Sequence, residues 1–186
     1  MSNGGEGDGD GLTGVVLDGR YRVESVVGEG GFGRVYRARH LALDIPVAIK
    51  TVRLDIDDDD DVVTQLLDEG RVLKKLRHEH IVAALDLGTF TPEGATKPLF
   101  YLVMEWCEGR PLRSLLEERG ALPMREAFEI VDAVAAALAH AHASGVVHRD
   151  VKPSNIMWTG ERRVSLVDFG IAKMADARRA SETGAT

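Results

Sequence analysis

The sequence predicts an α+β fold, with a strand-rich first half carrying one helix and a helix-led second half. Three patterns predict it. Tyr21–Val27 alternates apolar and polar residues, the period of a strand. Val63, Leu66, Leu67, Leu73 and Leu76 recur at helical spacing. Pro123 then opens a longer helix with Ala127, Ile130, Val131, Val134 and Leu138 on one face, closed by Gly145.

The remaining elements follow in order. Residues 1–14 are rich in Gly, Asp and Glu and are expected to form a disordered leader. A glycine cluster at Gly28–Gly33 separates the first strand from strands at Arg34–Arg39 and Pro46–Val52. Asp55–Asp61 is an acidic run before the first helix. Leu99–Trp106 is short and mostly apolar, which suits a buried strand. Leu112, Leu115 and Leu116 mark a short helix ending at Gly120. Short strands are expected at Val146–Val147, Ile156–Thr159 and Val164–Val167.

Composition limits the function classes. With 186 residues, 44% apolar and 28% charged, the chain can bury a sizeable core. A net charge of −7 argues against binding nucleic acid or an anionic membrane, since both need a basic face. The single cysteine, Cys107, excludes an internal disulfide and a cysteine-based zinc site. No run of 18 apolar residues marks a membrane span, and no basic-then-apolar leader marks a signal peptide. A cytoplasmic catalytic module fits these features, with a membrane anchor outside the segment still open.

The chemistry lies in four constellations. Gly28-Glu29-Gly30-Gly31-Phe32-Gly33 fits G-x-G-x-x-G. Glycines there allow either a phosphate-covering loop or a plain hairpin turn. A dinucleotide fold would need a helix next, yet Arg34–Arg39 is strand-like. Val47-Ala48-Ile49-Lys50 is an apolar strand carrying one lysine. If buried, that lysine needs an anionic partner; Glu69 beside the helix's apolar face is one carboxylate, and Asp68 is its rival. His148-Arg149-Asp150-Val151-Lys152-Pro153-Ser154-Asn155 and Asp168-Phe169-Gly170 supply the rest. Phosphoryl transfer needs a carboxylate to accept a hydroxyl proton, oxygen ligands for magnesium and a cation at the transferred phosphate. Asp150, Asn155 with Asp168, and Lys152 can meet those needs.

In this order the four motifs resemble the eukaryotic-type protein kinases, in their bacterial serine/threonine subgroup. The resemblance runs from about Tyr21 to Lys173. It implies a five-stranded antiparallel N-lobe sheet with one helix over residues 15–104. Residues 105–173 would then be the first part of a mainly helical C-lobe, and 174–186 an incomplete activation segment. Family members continue to an A-P-E-type motif and further C-lobe helices, and neither follows Gly170 here. The chain is therefore expected to be a fragment, binding nucleotide without efficient turnover of its own.

The resemblance also assigns roles. Val27, Gly28, Glu29, Gly30, Gly31, Phe32 and Gly33 would cover the ATP phosphates, and Val35 would lie against the adenine. Lys50 would contact phosphates and pair with Glu69. Ala48 and Met157 would sandwich the ring, Met104 would be the gatekeeper, and the Glu105 and Cys107 backbones would bond the adenine edge. Asp150 would be the catalytic base, Lys152 would mark serine/threonine specificity, and Asn155 and Asp168 would ligate Mg²⁺. Leu73, His148 and Phe169 would belong to an internal hydrophobic spine. Arg149 would pair with a phosphorylated activation-segment residue, with Ser181, Thr183 and Thr186 available. The implied reaction is ATP-dependent phosphorylation of protein serine or threonine. The alternatives are a non-catalytic nucleotide-binding module and a small-molecule phosphotransferase.

Other features have plainer readings. Asp57–Asp61 lacks the glycine and terminal glutamate of a calcium loop and suits a solvated helix start. His140 and His142 are two apart on a helix and do not share a face. His78 and His80 fit the turn after the first helix, and Cys107 fits hinge packing. Gly70 weakens its helix by roughly 1 kcal/mol relative to Ala, so a mobile helix is expected there.

Overall fold

A computed structural model of the chain describes residues 12–30, 33–53, 67, 70–159 and 164–169. Its larger sheet has six antiparallel strands in the order β1-β2-β3-β4-β6-β5. These are β1 (Val16–Leu17), β2 (Tyr21–Gly30), β3 (Gly33–His40), β4 (Ile45–Arg53), β5 (Ala84–Phe90) and β6 (Leu99–Glu105). The expected five strands thus gain a two-residue edge strand, β1. A smaller three-stranded sheet joins β7 (Arg110–Pro111), β8 (Ile156–Trp158) and β9 (Val164–Leu166). Helices α1 (Leu112–Arg119) and α2 (Met124–Ala143) lie between β7 and β8. Residues 70–73 are helical, and the rest of the helix expected from Val63 lies mostly outside the described residues.

Strand alternation divides the core into two. On one face of the larger sheet, Val23, Tyr36, Ala38, Val47, Ile49, Tyr101 and Val103 pack together. On the other, Val52, Phe100, Leu102 and Met104 join Leu73, Leu112, Leu115, Ile130, Ala137, Ile156, Leu166 and Phe169. Period-2 alternation along β4 places Ala48 and Lys50 on this second face, beside Val52. The two sheets meet where Ile81 bridges Leu166, with the Leu166 amide donating to His80 O (2.8 Å) and the Val82 amide to Leu166 O (3.1 Å).

Four expectations change. Leu12, assigned by composition to the leader, is 1% exposed and packs with Leu17 and Tyr21; the Gly14 amide donates to Val23 O at 2.9 Å. Burying a leucine this fully contributes roughly 1.5–3 kcal/mol relative to exposure, which offsets the ordering of about one or two residues. Val146–Val147 forms no strand. The Gly145 and Val146 amides donate to His142 O and Ala141 O, both at 2.9 Å, and Gly145 has φ 75°. This glycine-based helix cap uses the amide that a ladder would need. Val131 is 63% exposed, because the buried stripe of α2 runs through Ile130, Ala133, Val134, Ala137 and Ala141. Finally, β7 was not anticipated as a strand, and β5, the fifth strand that the resemblance implied, had no position read for it.

Gly33 opens β3 at φ 143°, and a Cβ there would lie 1.8 Å from the Thr51 carbonyl oxygen. Gly33→Ala is expected to destabilise the fold by at least about 2 kcal/mol in urea denaturation. Gly14→Ala has open space at φ 88° and should lose only the conformational cost of about 1–2 kcal/mol.

Candidate functional site

The site lies where the two sheets meet. Register sets its roof. Val35 faces Lys50 across β3–β4, while Ala48 and Lys50 face Met104 and Leu102 across β4–β6. Val35, Ala48, Lys50 and Met104 therefore share one surface, since directly opposed residues point the same way. Gly28 pairs with Val35 and Glu29 with Arg34 in the β2–β3 hairpin. A Glu29–Arg34 ion pair at 3.1 Å crosses the hairpin. Gly31 and Phe32 lie outside the described residues. Val27 is 50% exposed.

The Lys50 side chain is only 13% exposed, and its Nζ donates to Asp168 Oδ1. Burial explains the pairing, because an ammonium held away from water needs a counter-charge. The expected partner, Glu69, lies outside the described residues, so Asp168 is the described counterion. Asp168 follows β9 at φ 67°, a left-handed conformation unusual for a residue with a side chain.

Two backbone contacts hold the approach to Asp168. The Val167 amide donates to Asn155 O, and its carbonyl accepts from His148 Nε2, both at 2.9 Å. The Asp150 amide donates to His148 Nδ1 at 3.3 Å. These contacts assign the neutral ring with its proton on Nε2. Burial lowers the His148 pKa, and the Val167 carbonyl and the carboxylates of Asp168 and Asp150 offset only part of that effect. The ring also packs on Phe169 at 4.6 Å between centroids. Leu73 belongs to the same buried cluster as Phe169.

Asp150 lies between two neighbours from its own loop. Lys152 Nζ reaches Asp150 Oδ2 at 2.7 Å. Asn155 Nδ2 donates to the same oxygen at 3.1 Å and to Asp150 O at 2.8 Å. A 3₁₀ turn, Pro153–Asn155, sets this spacing, with Pro153 at its first position and the Asn155 amide bonded to Lys152 O. Asn155 is 6% exposed, and Met157 follows on β8, paired with Ser165 of β9. Arg149 also adopts positive φ, 63°. Two such residues beside Asp150 and at Asp168 each store of order 1–3 kcal/mol, a cost that clusters at functional sites.

The connection from β6 to β7 runs past Glu105 and Cys107. The Glu105 amide donates to Ala83 O at 3.0 Å. Cys107 is partly buried, and that burial raises its thiol pKa, which leaves it the neutral form. Trp106, between them, was missed from sequence. The Arg37 guanidinium lies 5.0 Å from its ring centroid, and its Nε1 donates to Glu108 Oε1 at 2.9 Å. No linear pattern signals that pairing, because β3 and the β6 end meet only through the sheet. Arg149 is exposed, while Ser181, Thr183, Thr186, Asp57–Asp61 and Gly170 lie outside the described residues.

The His78 ring lies 5.6 Å from that of His80 and 5.2 Å from that of His140, centroid to centroid. Among the described residues, no group of three His, Cys, Asp or Glu side chains has metal-holding geometry. Nor is any described helix long and apolar enough to cross a membrane.

Similarity to known proteins follows the same outline. Residues 21–186 match the model of the protein kinase domain family. The chain is 39% identical over 172 residues to the serine/threonine-protein kinase PknA of Mycobacterium tuberculosis, covering 92% of this chain and 40% of the relative. It therefore spans well under half of that relative's length. The crystal structure of the Mycobacterium tuberculosis PknI kinase domain superposes with TM-score 0.72 at 32% identity, covering 86% of this chain and 62% of that one. A structure of Rad53 in complex with AMP-PNP superposes with TM-score 0.68 at 29% identity, covering 80% of this chain and 38% of that one.

The neutral, buried His148 makes stability pH-dependent. With its folded pKa below the ordinary value of about 6.5, the unfolded chain takes up the proton first. The contribution is full above that value and is lost as pH falls through the folded pKa. The urea midpoint of the unsubstituted chain should drop between about pH 7.5 and pH 5.5, and His148→Gln, which keeps a donor for Val167 O, should flatten that drop.

Proposed function

This chain belongs to the protein kinase domain family, and on that premise we propose that it binds ATP with Mg²⁺ and carries the groups for phosphoryl transfer to serine or threonine of proteins. The observation that carries this reading is the Asp150 carboxylate, whose Oδ2 receives both Lys152 Nζ and Asn155 Nδ2. A carboxylate oriented in this way suits acceptance of a proton from an incoming hydroxyl.

The donor chemistry of the site fits the metal. Asp168 offers a carboxylate and Asn155 an amide oxygen, the hard ligands that magnesium takes. The Asn155 Nδ2 contacts with Asp150 orient the amide, directing its nitrogen away from a cation. When bound, the metal would neutralise charge on the phosphates. Lys50 would carry part of the same load, with its Nζ shared between Asp168 and phosphate oxygens. The substrate hydroxyl oxygen forms a bond to the γ-phosphorus as the bond to the β–γ bridging oxygen breaks. The hydroxyl proton passes to Asp150, and the bridging oxygen leaves with ADP. Lys152, beside Asp150, is placed to stabilise charge on the transferred group.

The roof suits a nucleobase. Val35, Ala48 and Met104 form an apolar surface on one sheet, and Met157 on the smaller sheet supplies the opposite side of the proposed sandwich. The Rad53 neighbour, described with AMP-PNP, is consistent with a nucleotide in such a site. Lys152 and the intact Asp168-Phe169-Gly170 favour a protein substrate over a small-molecule acceptor. The location proposed for this module is cytoplasmic.

Labelled ATP with a protein substrate tests the reading. Asp150→Asn should lower turnover by about 10²–10⁴-fold while Mg²⁺-dependent nucleotide binding is partly kept. Lys50→Met should abolish transfer. Turnover unchanged in Asp150→Asn would refute the base assignment. Nucleotide binding without transfer by the unsubstituted chain would favour the non-catalytic reading, and transfer confined to small-molecule acceptors the third.

A further inference from the structure

Asp86 of β5 lies outside the site, yet three elements converge on it. Its Oδ2 accepts from the Tyr21 hydroxyl at 3.0 Å and pairs with Arg20 Nη1 at 2.7 Å. Its Oδ1 accepts from Lys74 Nζ at 3.3 Å. The two contacts on Oδ2 therefore aim the other oxygen at Lys74. An irregularity in the β5–β6 register falls between Ala84 and Asp86, where a bulge re-aims side chains. The Asp86 side chain is 17% exposed while Arg20 and Lys74 are 49% and 39% exposed, so the carboxylate end of the network is shielded and the cationic ends reach solvent. Burial alone would raise the Asp86 pKa, but the Leu87 amide, Tyr21, Lys74 and Arg20 together hold it below the ordinary value.

Lys74 directly follows the helical residues 70–73. That segment lies hard against β5, since a Cβ on Gly70 would sit 2.9 Å from Leu87 Cδ2. Its Leu73 shares the buried cluster of Phe169, the residue after Asp168. At the other end of the network, the strap of residues 12–20 is anchored by buried Leu12 and Leu17. The Tyr101 hydroxyl donates to Asp18 in the same strap. The strap precedes residue 21, where the family match begins.

We propose that Asp86 is a positioning residue that couples the 12–20 strap to the helical segment that Lys74 follows, and so bears on the buried cluster that this segment's Leu73 shares with Phe169. Its consequence for nucleotide affinity rests on the function proposed above, whereas its consequence for the helical segment does not. The coupling is intramolecular, carried by side chains of one chain.

Hydrogen exchange on the whole chain tests it, read at residues 70–76 and at β6 as reference, with Mg²⁺–nucleotide affinity measured in parallel. Asp86→Asn and Lys74→Met should each raise exchange at 70–76 by about 3- to 10-fold with β6 unchanged. The double variant should exceed neither single, as expected for partners in one interaction. Lys74→Arg should restore the unsubstituted rate. Tyr21→Phe, which removes only the hydroxyl aimed at Asp86, should raise exchange at 70–76 in the same direction. Nucleotide affinity should fall by a similar factor in the two single variants. Unchanged exchange at 70–76, additive effects in the double variant, or an increase shared equally by β6 would overturn the proposal. So would a change that follows a shift in oligomeric state by sedimentation. If Asp86→Asn does not fold, Lys74→Met and Tyr21→Phe decide alone. If the unsubstituted chain binds no nucleotide, the proposed function fails while the exchange comparison still decides the coupling.

Discussion

A lysine held mostly out of water must find an anion, and Lys50 finds one that arrives from the other sheet. Alternation along β4 puts Lys50 on the inner face with Ala48 and Val52, and nothing on that strand can neutralise it. Asp168 follows β9, so the pair forms only if the smaller sheet is seated against the larger one. The Ile81–Leu166 bridge and its flanking amide bonds hold that seating. The roof, the carboxylates and the buried cluster running through Leu73 and Phe169 all depend on the same registration. An unpaired ammonium at that depth would cost more than any single surface contact returns.

Polar satisfaction then fixes the loop between α2 and β8. The helix ends in a glycine cap, and the chain turns at once into His148, a polar side chain only 1% exposed. Its ring is useful because it is neutral. One nitrogen donates to Val167 O and the other accepts from the Asp150 amide, so the imidazole ties the Asp150 loop to the strand end before Asp168. Positive φ at Arg149 and Asp168 is tolerated because these bonds over-determine the backbone on either side.

Much of this organisation was legible in one dimension. Alternation made β2 readable, short apolar runs made β4 and β6 readable, and the flanking Pro123 and Gly145 bounded α2. The motifs around Gly28, Lys50, Asp150 and Asp168 are short in sequence, so their chemistry is carried by adjacent residues. β5 was not readable, because Asp86 and Gly88 interrupt its apolar pattern. The reasons for both residues are tertiary: Asp86 gathers donors from other elements, and a Cβ at Gly88 would meet the Tyr101 hydroxyl at 2.6 Å. Val131 looked buried by spacing, yet it falls just off the stripe that α2 presents to the core.

By itself the sequence determined the chemistry on offer: a glycine hairpin, a strand lysine, and carboxylates with an asparagine at loop spacing. It also determined which strands alternate and where α2 begins and ends, since these depend on neighbours a few residues apart. Only the tertiary structure decided that Lys50 meets Asp168, that Leu12 belongs to the core, and that Arg37 covers Trp106. Each of these joins residues far apart in the chain. Their energy comes from excluding water between surfaces, and no local pattern records which surfaces will meet.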